Sequence, residues 1–449
     1  MSGGDADRLL AARMVEAALA AGADAADVIV VSATSASVGV AGRSLEEAEH
    51  AEGRDAGLRV IAGRGQACVS SSDLRDENIV EMAGRAVTMA RAAPDDPYCD
   101  LAGPERLSPT RDAAGLDLAD TSEPPGPGAL EDMARAAEEA ALAVPGIVQV
   151  EQASAGWVAD RLTIALSNGF EAGYARSSMT LALSALAGEG TGRERDYAVE
   201  TRRHAADLPS PEAIGRRAAE RTVARLGARR PPAGHYPVVY DERVAGGLIG
   251  HLLSAANGAA VARGASWLDG RLGEAVLPDG ITLREEPHML RGRASRPFDA
   301  EGLPTRASTI VENGSLARWV LDLATARQLG LESTANARRG LSGPPSPGVT
   351  NIRMTAGEKD RAGLLAEIGT GLLVTSFLGA SINPTTGAYS RGASGFWVEG
   401  GEIAHPVNEI TLAGSLPEML LSIRPGNDAD EAKAIAVPSL IVEGLTVGA

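Results

Sequence analysis

The chain has 449 residues, enough for two or three domains with real cores. Its 44% hydrophobic and 22% charged residues are the proportions of a globular protein. Acidic residues number 59 and basic residues 42, a net charge of −17 with no basic cluster, which argues against direct binding to nucleic acid or to an anionic membrane. Cys68 and Cys99 are too few for a disulfide scaffold and form no CxxC pair for zinc. The N-terminus starts acidic, without the basic start, apolar run and cleavage site of a signal peptide. No apolar run approaches the roughly 18 residues that span a bilayer. A cytoplasmic protein with no membrane partner is expected.

In chain order, Asp5 to Ala21 repeats apolar residues at helical spacing and stops at Gly22. Four strand candidates follow: Val28 to Val31, Val38 to Val40, Gly57 to Ile61 and Ala67 to Ser71. Ser72 or Asp73 is placed to cap a helix reaching about Ala92, with Ile79, Met82, Ala86 and Met89 on one side. Residues 93–128 are rich in proline and glycine and predict a connection over the surface or between subdomains. Ala129 to Val144 reads as helix, and Val148 to Ala153, Leu162 to Leu166 and Met179 to Leu183 as strands. Ser167-Asn168-Gly169 is a hairpin turn between the last two. A helix from Pro211 to Leu226 ends in a proline-rich boundary, which divides the chain into an N-terminal α+β domain (1–230) and a C-terminal domain (235–449). The first should carry helices flanking an antiparallel or mixed sheet.

The second half is predicted to be predominantly antiparallel β with a few helices. Tyr236 to Tyr240 is a strand, and Asp241 caps a helix from Glu242 to about Arg263. Ser308 to Leu321 makes a hairpin around Asn313-Gly314, Thr325 to Leu331 and Ala362 to Ile368 are short helices, and Arg338 to Gly348 is a loop. From Gly371 to Gly414 come three strands, the last two joined by the tight turn Glu399-Gly400-Gly401-Glu402. A helix at Leu416 to Ile423 and a strand from Ser439 to Val447 close the chain.

Chemistry is sparse. His251 lies within the helix that starts at Glu242, but its neighbours one turn away, Gly247 and Ala255, supply neither a second ligand nor a base. Asp299 and Glu301 stand two residues apart, facing one way on an extended segment or solvated in a turn. With His251 they form a possible polar site. Tyr389, Ser390, Arg391 and Gly392 lie among the small residues Gly387 and Gly395, which would let a peptide strand approach the backbone closely. The same residues fit a glycine-rich strand connection inside a core. Ser390 has no histidine or lysine at a recognisable spacing, so no catalytic residue is assigned.

Several segments carry a family likeness: Tyr236-Pro237-Val238-Val239-Tyr240 with Gly250-His251-Leu252-Leu253-Ser254-Ala255, Arg296-Pro297-Phe298-Asp299-Ala300-Glu301-Gly302, Thr385 to Ala393, Gly395-Phe396-Trp397-Val398-Glu399 and Pro438 to Val447. In the first half, Gly57-Leu58-Arg59-Val60 adds to them. Together they resemble the PmbA (TldE) branch of the TldD/PmbA family, once called modulators of DNA gyrase. The resemblance implies a cytosolic peptidase system of two related subunits that trims leader peptides and degrades unfolded peptides such as an antitoxin. It also implies a HisGluXXXHis motif on the TldD helix equivalent to Glu242–Arg263, and a C-terminal cysteine, holding a divalent metal. Here a first histidine at 251 would need glutamate at 252 and histidine at 256, which are Leu252 and Ala256. A second histidine at 251 would need the pair at Gly246 and Gly247, and no cysteine follows Cys99.

The expectation is a non-catalytic subunit, with no metal or cofactor of its own, beside a metal-bearing TldD-type partner. Tyr389, Ser390, Arg391 and Gly392 would hold an unfolded peptide, and the chain would form homodimers when alone. A metallopeptidase with unrecognised ligands and a protein that binds gyrase are the alternatives.

Overall fold

The computed structural model describes residues 3–448. Strands β1 (Ala25–Ala41), β2 (Ser44–Ala62), β3 (Gly65–Ser71), β4 (Ile147–Leu166), β5 (Glu171–Ala187) and β6 (Glu194–Arg202) form one antiparallel sheet in the order β3-β2-β1-β4-β5-β6. Because side chains alternate across a strand, Val28, Val30, Ala36, Val38 and Val40 share one face of β1. Helices α1 (Gly3–Ala20) and α2 (Asp76–Ala92) cover one end of that face, and α3 (Pro127–Leu142) and α4 (Pro211–Val223) the other. Ile29, Ile164 and Leu166 point to the opposite face and meet Phe298 from the C-terminal half.

Several expectations need correction. The runs at Val28 and Val38 belong to one strand, as do those at Val148 and Leu162. The polar stretch Ser32–Ser37 between the first two keeps unbroken ladders to β2 and β4 on both sides, so tertiary pairing overrides its weak strand propensity. Strand β6 gave no signal because its inward positions include Asp196 and Glu200, while Tyr197 and Val199 are exposed. Asp196 is held by Arg243 at 2.7 Å and Glu200 by Arg217 from α4 as well as by Arg202 at 2.8 Å, and neither Arg243 nor Arg217 shows in the local pattern. Helix α2 starts after Arg75 with no side-chain cap, because Asp73 turns to bind the Arg75 guanidinium at 2.8 Å. Residues 93–128 are more than a surface connection. Leu101, Leu116 and Leu118 are buried with Phe170, Tyr174 and Phe298 between the two halves.

In the C-terminal half, β7 (Gly234–Tyr240), β8 (Gly371–Ile382), β9 (Ala388–Glu399), β10 (Glu402–Ser415) and β11 (Leu440–Gly448) pair in the order β10-β9-β8-β7-β11. Thr411–Ala413 of β10 then pair with Thr446–Gly448 of β11 and close the sheet on itself. Only the β7–β8 pair is parallel among these ladders. Val238 and Tyr240 face the core built with helix α5 (Glu242–Ala255), whereas Val239 faces a second helix, Arg361–Ile368. Helix α5 stops short of Arg263 because the Asn257 side chain accepts from the Ala259 N–H and starts a separate turn of helix. The Ser308 hairpin is shorter than predicted, its second strand being only Ser315–Leu316.

A buried ion cluster joins the halves. Asp27 on β1 accepts from Arg59 on β2 and lies against Arg339 from the loop 338–341; their side chains are 2%, 5% and 1% exposed. Arg339 also donates to the Gly57 carbonyl at 3.2 Å. At Gly57 the two halves approach so closely that an added Cβ would stand 2.1 Å from the Leu341 carbonyl oxygen. Asp27→Asn should leave two buried guanidiniums short of a counter-charge and cost about 3 kcal/mol or more of unfolding free energy, read as a lower urea midpoint. Gly57→Ala should cost about 1–3 kcal/mol by overpacking at the same seam.

Candidate functional site

The Asp241 side chain accepts from the Arg243 N–H at 3.1 Å and sets the start of α5, which carries His251 to the core side of β9. The imidazole stands 6.1 Å edge-on from the Tyr389 ring, and among the described residues its buried Nε2 has no hydrogen-bond partner. Tyr389 is 4% exposed, and its hydroxyl accepts from Tyr240 at 3.3 Å. Arg391 lies 4.3 Å over the Phe377 ring and donates to the Gly379 carbonyl. Burial, followed by the charge of Arg391, holds the His251 pKa below its usual value. Burial pushes the Tyr240 and Tyr389 phenols up. The cluster is therefore a neutral imidazole, two neutral phenols and one guanidinium at neutral pH. Among the described residues no group of three or more His, Cys, Asp or Glu side chains could hold a metal ion.

The reading of Tyr389, Ser390, Arg391 and Gly392 as an open edge for a peptide does not survive. Tyr389 pairs with Ile382 and Gly414, Ser390 with Ser381 and Ala413, and Gly392 with Leu378 and Thr411, so both sides of β9 are taken. Arg391 pairs with Leu412 and sits opposite an irregularity in β8. What approaches the glycines is the neighbouring strand. A Cβ at Gly395 would lie 1.9 Å from the Leu373 carbonyl oxygen, and one at Gly392 2.9 Å from that of Leu378.

Asp299 and Glu301 are neither extended nor solvated. They sit in a tight turn at Gly302 and are 1% and 3% exposed. Asp299 accepts from the backbone N–H groups of Glu301, Leu303 and Ala337 at 2.9, 2.9 and 3.1 Å. Glu301 accepts from the Leu323 N–H at 2.9 Å, at the start of the helix Leu323–Leu329. Both carboxylates thus organise backbone at the seam, and no contact joins them to His251. Burial raises the Asp299 pKa to about 6 and, with Asp299 and Asp322 nearby, raises that of Glu301 well above the carboxylate range.

Sequence reasoning passed over the arginines around these acids. A cavity of about 370 Å³ opens between the halves, lined by Arg296, Arg338 and Arg339 among others. The adjacent pair Arg338-Arg339 inside a Gly/Pro loop was the available signal.

Comparison with known proteins follows the same division. Residues 26–90 match the PmbA/TldA metallopeptidase domain 1, residues 120–226 its central domain, and residues 233–449 its C-terminal domain. The "Metalloprotease PmbA" of Escherichia coli O157:H7 is 36% identical over 425 residues, 94% of this chain and 92% of that protein. The chain belongs to the PmbA/TldD metallopeptidase family. A "Metalloprotease PmbA homolog" of Haemophilus influenzae is 34% identical over 96% of this chain and 94% of its own length. A "Metalloprotease TldD homolog" from the same organism is 27% identical over 66% of this chain and 67% of its own. Among solved structures, a candidate modulator of DNA gyrase from Bacteroides thetaiotaomicron superposes with TM-score 0.90 at 28% identity, covering 99% of both chains. TldE of Thermococcus kodakarensis shares the fold, with TM-score 0.83 at 20% identity over 98% of this chain and all of its own. No helix among the described residues is long and apolar enough to cross a membrane.

The buried acids predict a pH dependence. A carboxyl whose pKa is higher folded than unfolded binds its proton more tightly when folded, so its contribution to stability falls as pH rises between the two values. For Asp299 that window runs from 3.8 to about 6. Glu301→Gln removes the neighbour that shares the site and keeps an acceptor for Leu323. It should leave stability at pH 7 unchanged or higher and flatten its fall with pH, measured by urea unfolding from pH 4 to 7.

Proposed function

We propose that the chain is the metal-free subunit of a PmbA/TldD-type peptidase, acting beside a metal-bearing TldD-type partner on unstructured peptides such as leader peptides. The observation that carries this reading is helix α5. The family resemblance puts the TldD metal-binding motif on the helix equivalent to α5, and here that helix presents Gly247, Leu252 and Ala255 beside His251. A zinc-type hydrolytic site needs several ligands and a base around one open position. The His251 environment instead supplies Tyr389 and the cation Arg391, a poor neighbour for a metal ion.

Extended peptides dock by adding a strand to a free edge. With β9 closed on both sides, a free edge must be sought elsewhere. Strand β2 pairs with β3 only over Ala56–Ala62, and its residues Ser44–Gly53 are exposed. The side chains of Glu46, Glu47, Glu49 and Glu52 there favour a basic segment. Hydrogen exchange over Ser44–Asp55 should slow when peptide or the partner subunit is added, and unchanged exchange would remove this edge as the docking place.

The subunit assignment is tested by purifying the chain alone and together with a HisGluXXXHis-bearing relative. Alone, it should carry substoichiometric metal and leave an unstructured peptide intact; together, the pair should cleave. His251→Gln in this chain should not change cleavage by the pair. Stoichiometric metal and proteolysis by the lone chain would overturn the assignment in favour of an independent metallopeptidase, the activity named for its PmbA relatives.

A further inference from the structure

We propose that the cavity between the two halves is a binding site for an organic carboxylate carried on an apolar body. The cavity has two unlike walls. One is apolar, formed by Ile29 and Val31 of β1 and Leu162 and Ile164 of β4. The other carries five arginines, 176, 293, 296, 338 and 339, in a chain whose net charge is −17.

Their partners decide what the cavity lacks. Arg176 is neutralised by Asp160, donating to its two oxygens at 3.0 and 2.7 Å, and Arg339 lies against Asp27. Arg296 is 9% exposed; its terminal nitrogens donate to the carbonyls of Ala337 and Gly348 at 2.9 Å each, and its buried Nε has no partner among the described residues. Arg293 and Arg338 are exposed to the cavity and its mouth, and among the described residues neither side chain has a hydrogen bond or ion pair. Asp299 is the one carboxylate among the lining residues, and three backbone N–H groups already occupy its oxygens. The surplus is cationic.

A bound oxyanion would supply the missing counter-charge. Guanidinium groups match a planar carboxylate through paired N–H donors, a geometry that a point charge does not offer. Tyr174 also lines the cavity, and among the described residues its hydroxyl has no hydrogen-bond partner. A volume of about 370 Å³ falls within the usual range of small-molecule pockets. Inorganic phosphate would leave the aliphatic wall unused. The carboxyl terminus of a peptide ending in an apolar residue would fill both walls, as would a free aliphatic acid. The site does not depend on whether the chain works with a metal-bearing subunit.

Isothermal titration of the full chain tests this, with N-acetyl-leucyl-leucine, its carboxyl-terminal amide, octanoate and inorganic phosphate as separate probes. The dipeptide acid or octanoate should bind at least about tenfold more tightly than the amide, the worth of one charge-assisted hydrogen bond. Preference for the dipeptide acid over octanoate assigns the site to peptide ends, and the reverse assigns it to free acids. The double substitution R293Q/R338Q, at two exposed side chains, should abolish the acid–amide difference without lowering the melting temperature. R338K, which keeps the charge but not the fork, should retain part of it. Equal affinity for acid and amide, undiminished binding by the double variant, or tighter binding of phosphate than of either acid would overturn the proposal.

Discussion

One buried carboxylate, Asp27, faces two arginines that come from opposite halves of the chain. Arg59 reaches it along the N-terminal sheet, and Arg339 from a loop that follows the first strands of the C-terminal half. A charge taken out of water is tolerable only when paired and hydrogen-bonded, so the loop must stay seated for either half to be satisfied. Asp322, close behind, helps keep Arg59 charged against its burial. The seam therefore alternates acid and base over several layers, and it fixes where the Phe298 ring, the 93–128 segment and the arginine-lined cavity come together.

The closed strand set of the C-terminal half is built on a different constraint. Its glycines let strands approach so tightly that backbone carbonyls occupy the space a side chain would need. That packing leaves a polar patch of His251, Tyr240, Tyr389 and Arg391 at the face of α5, with the imidazole neutral and its Nε2 unpartnered. The patch resembles an active site in layout but holds no pair of groups whose protonation states are set apart for acid and base work. Fold membership in a metallopeptidase family and the chemistry of this particular site are separate matters, and the second must be read from the residues.

How much of this was legible in the sequence depended on whether the deciding contacts were local. Asp241 capping α5, the Ser167–Gly169 turn and the Gly400-Gly401 turn are local events, and the sequence alone located them. The fold class and the family likeness were also readable, because they rest on long continuous motifs. Strand β6 was not readable, since two of its buried positions are carboxylates, Asp196 held by Arg243 from the other half and Glu200 by Arg202 and Arg217. Nor was the role of Gly392 and Gly395, where a glycine that admits a ligand and one that admits a neighbouring strand look alike. Asp299 and Glu301 were singled out correctly as unusual but assigned the wrong surroundings, because only the folded seam brings the Leu323 and Ala337 N–H groups to them.

On the proposal made above, this chain contributes shape and binding to a peptidase while the metal sits elsewhere. Anomalous diffraction at the absorption edge of the bound metal, from crystals of the chain together with a HisGluXXXHis-bearing partner, addresses it directly. Anomalous density should be confined to the partner's motif. A peak beside the Nε2 of His251 would contradict it.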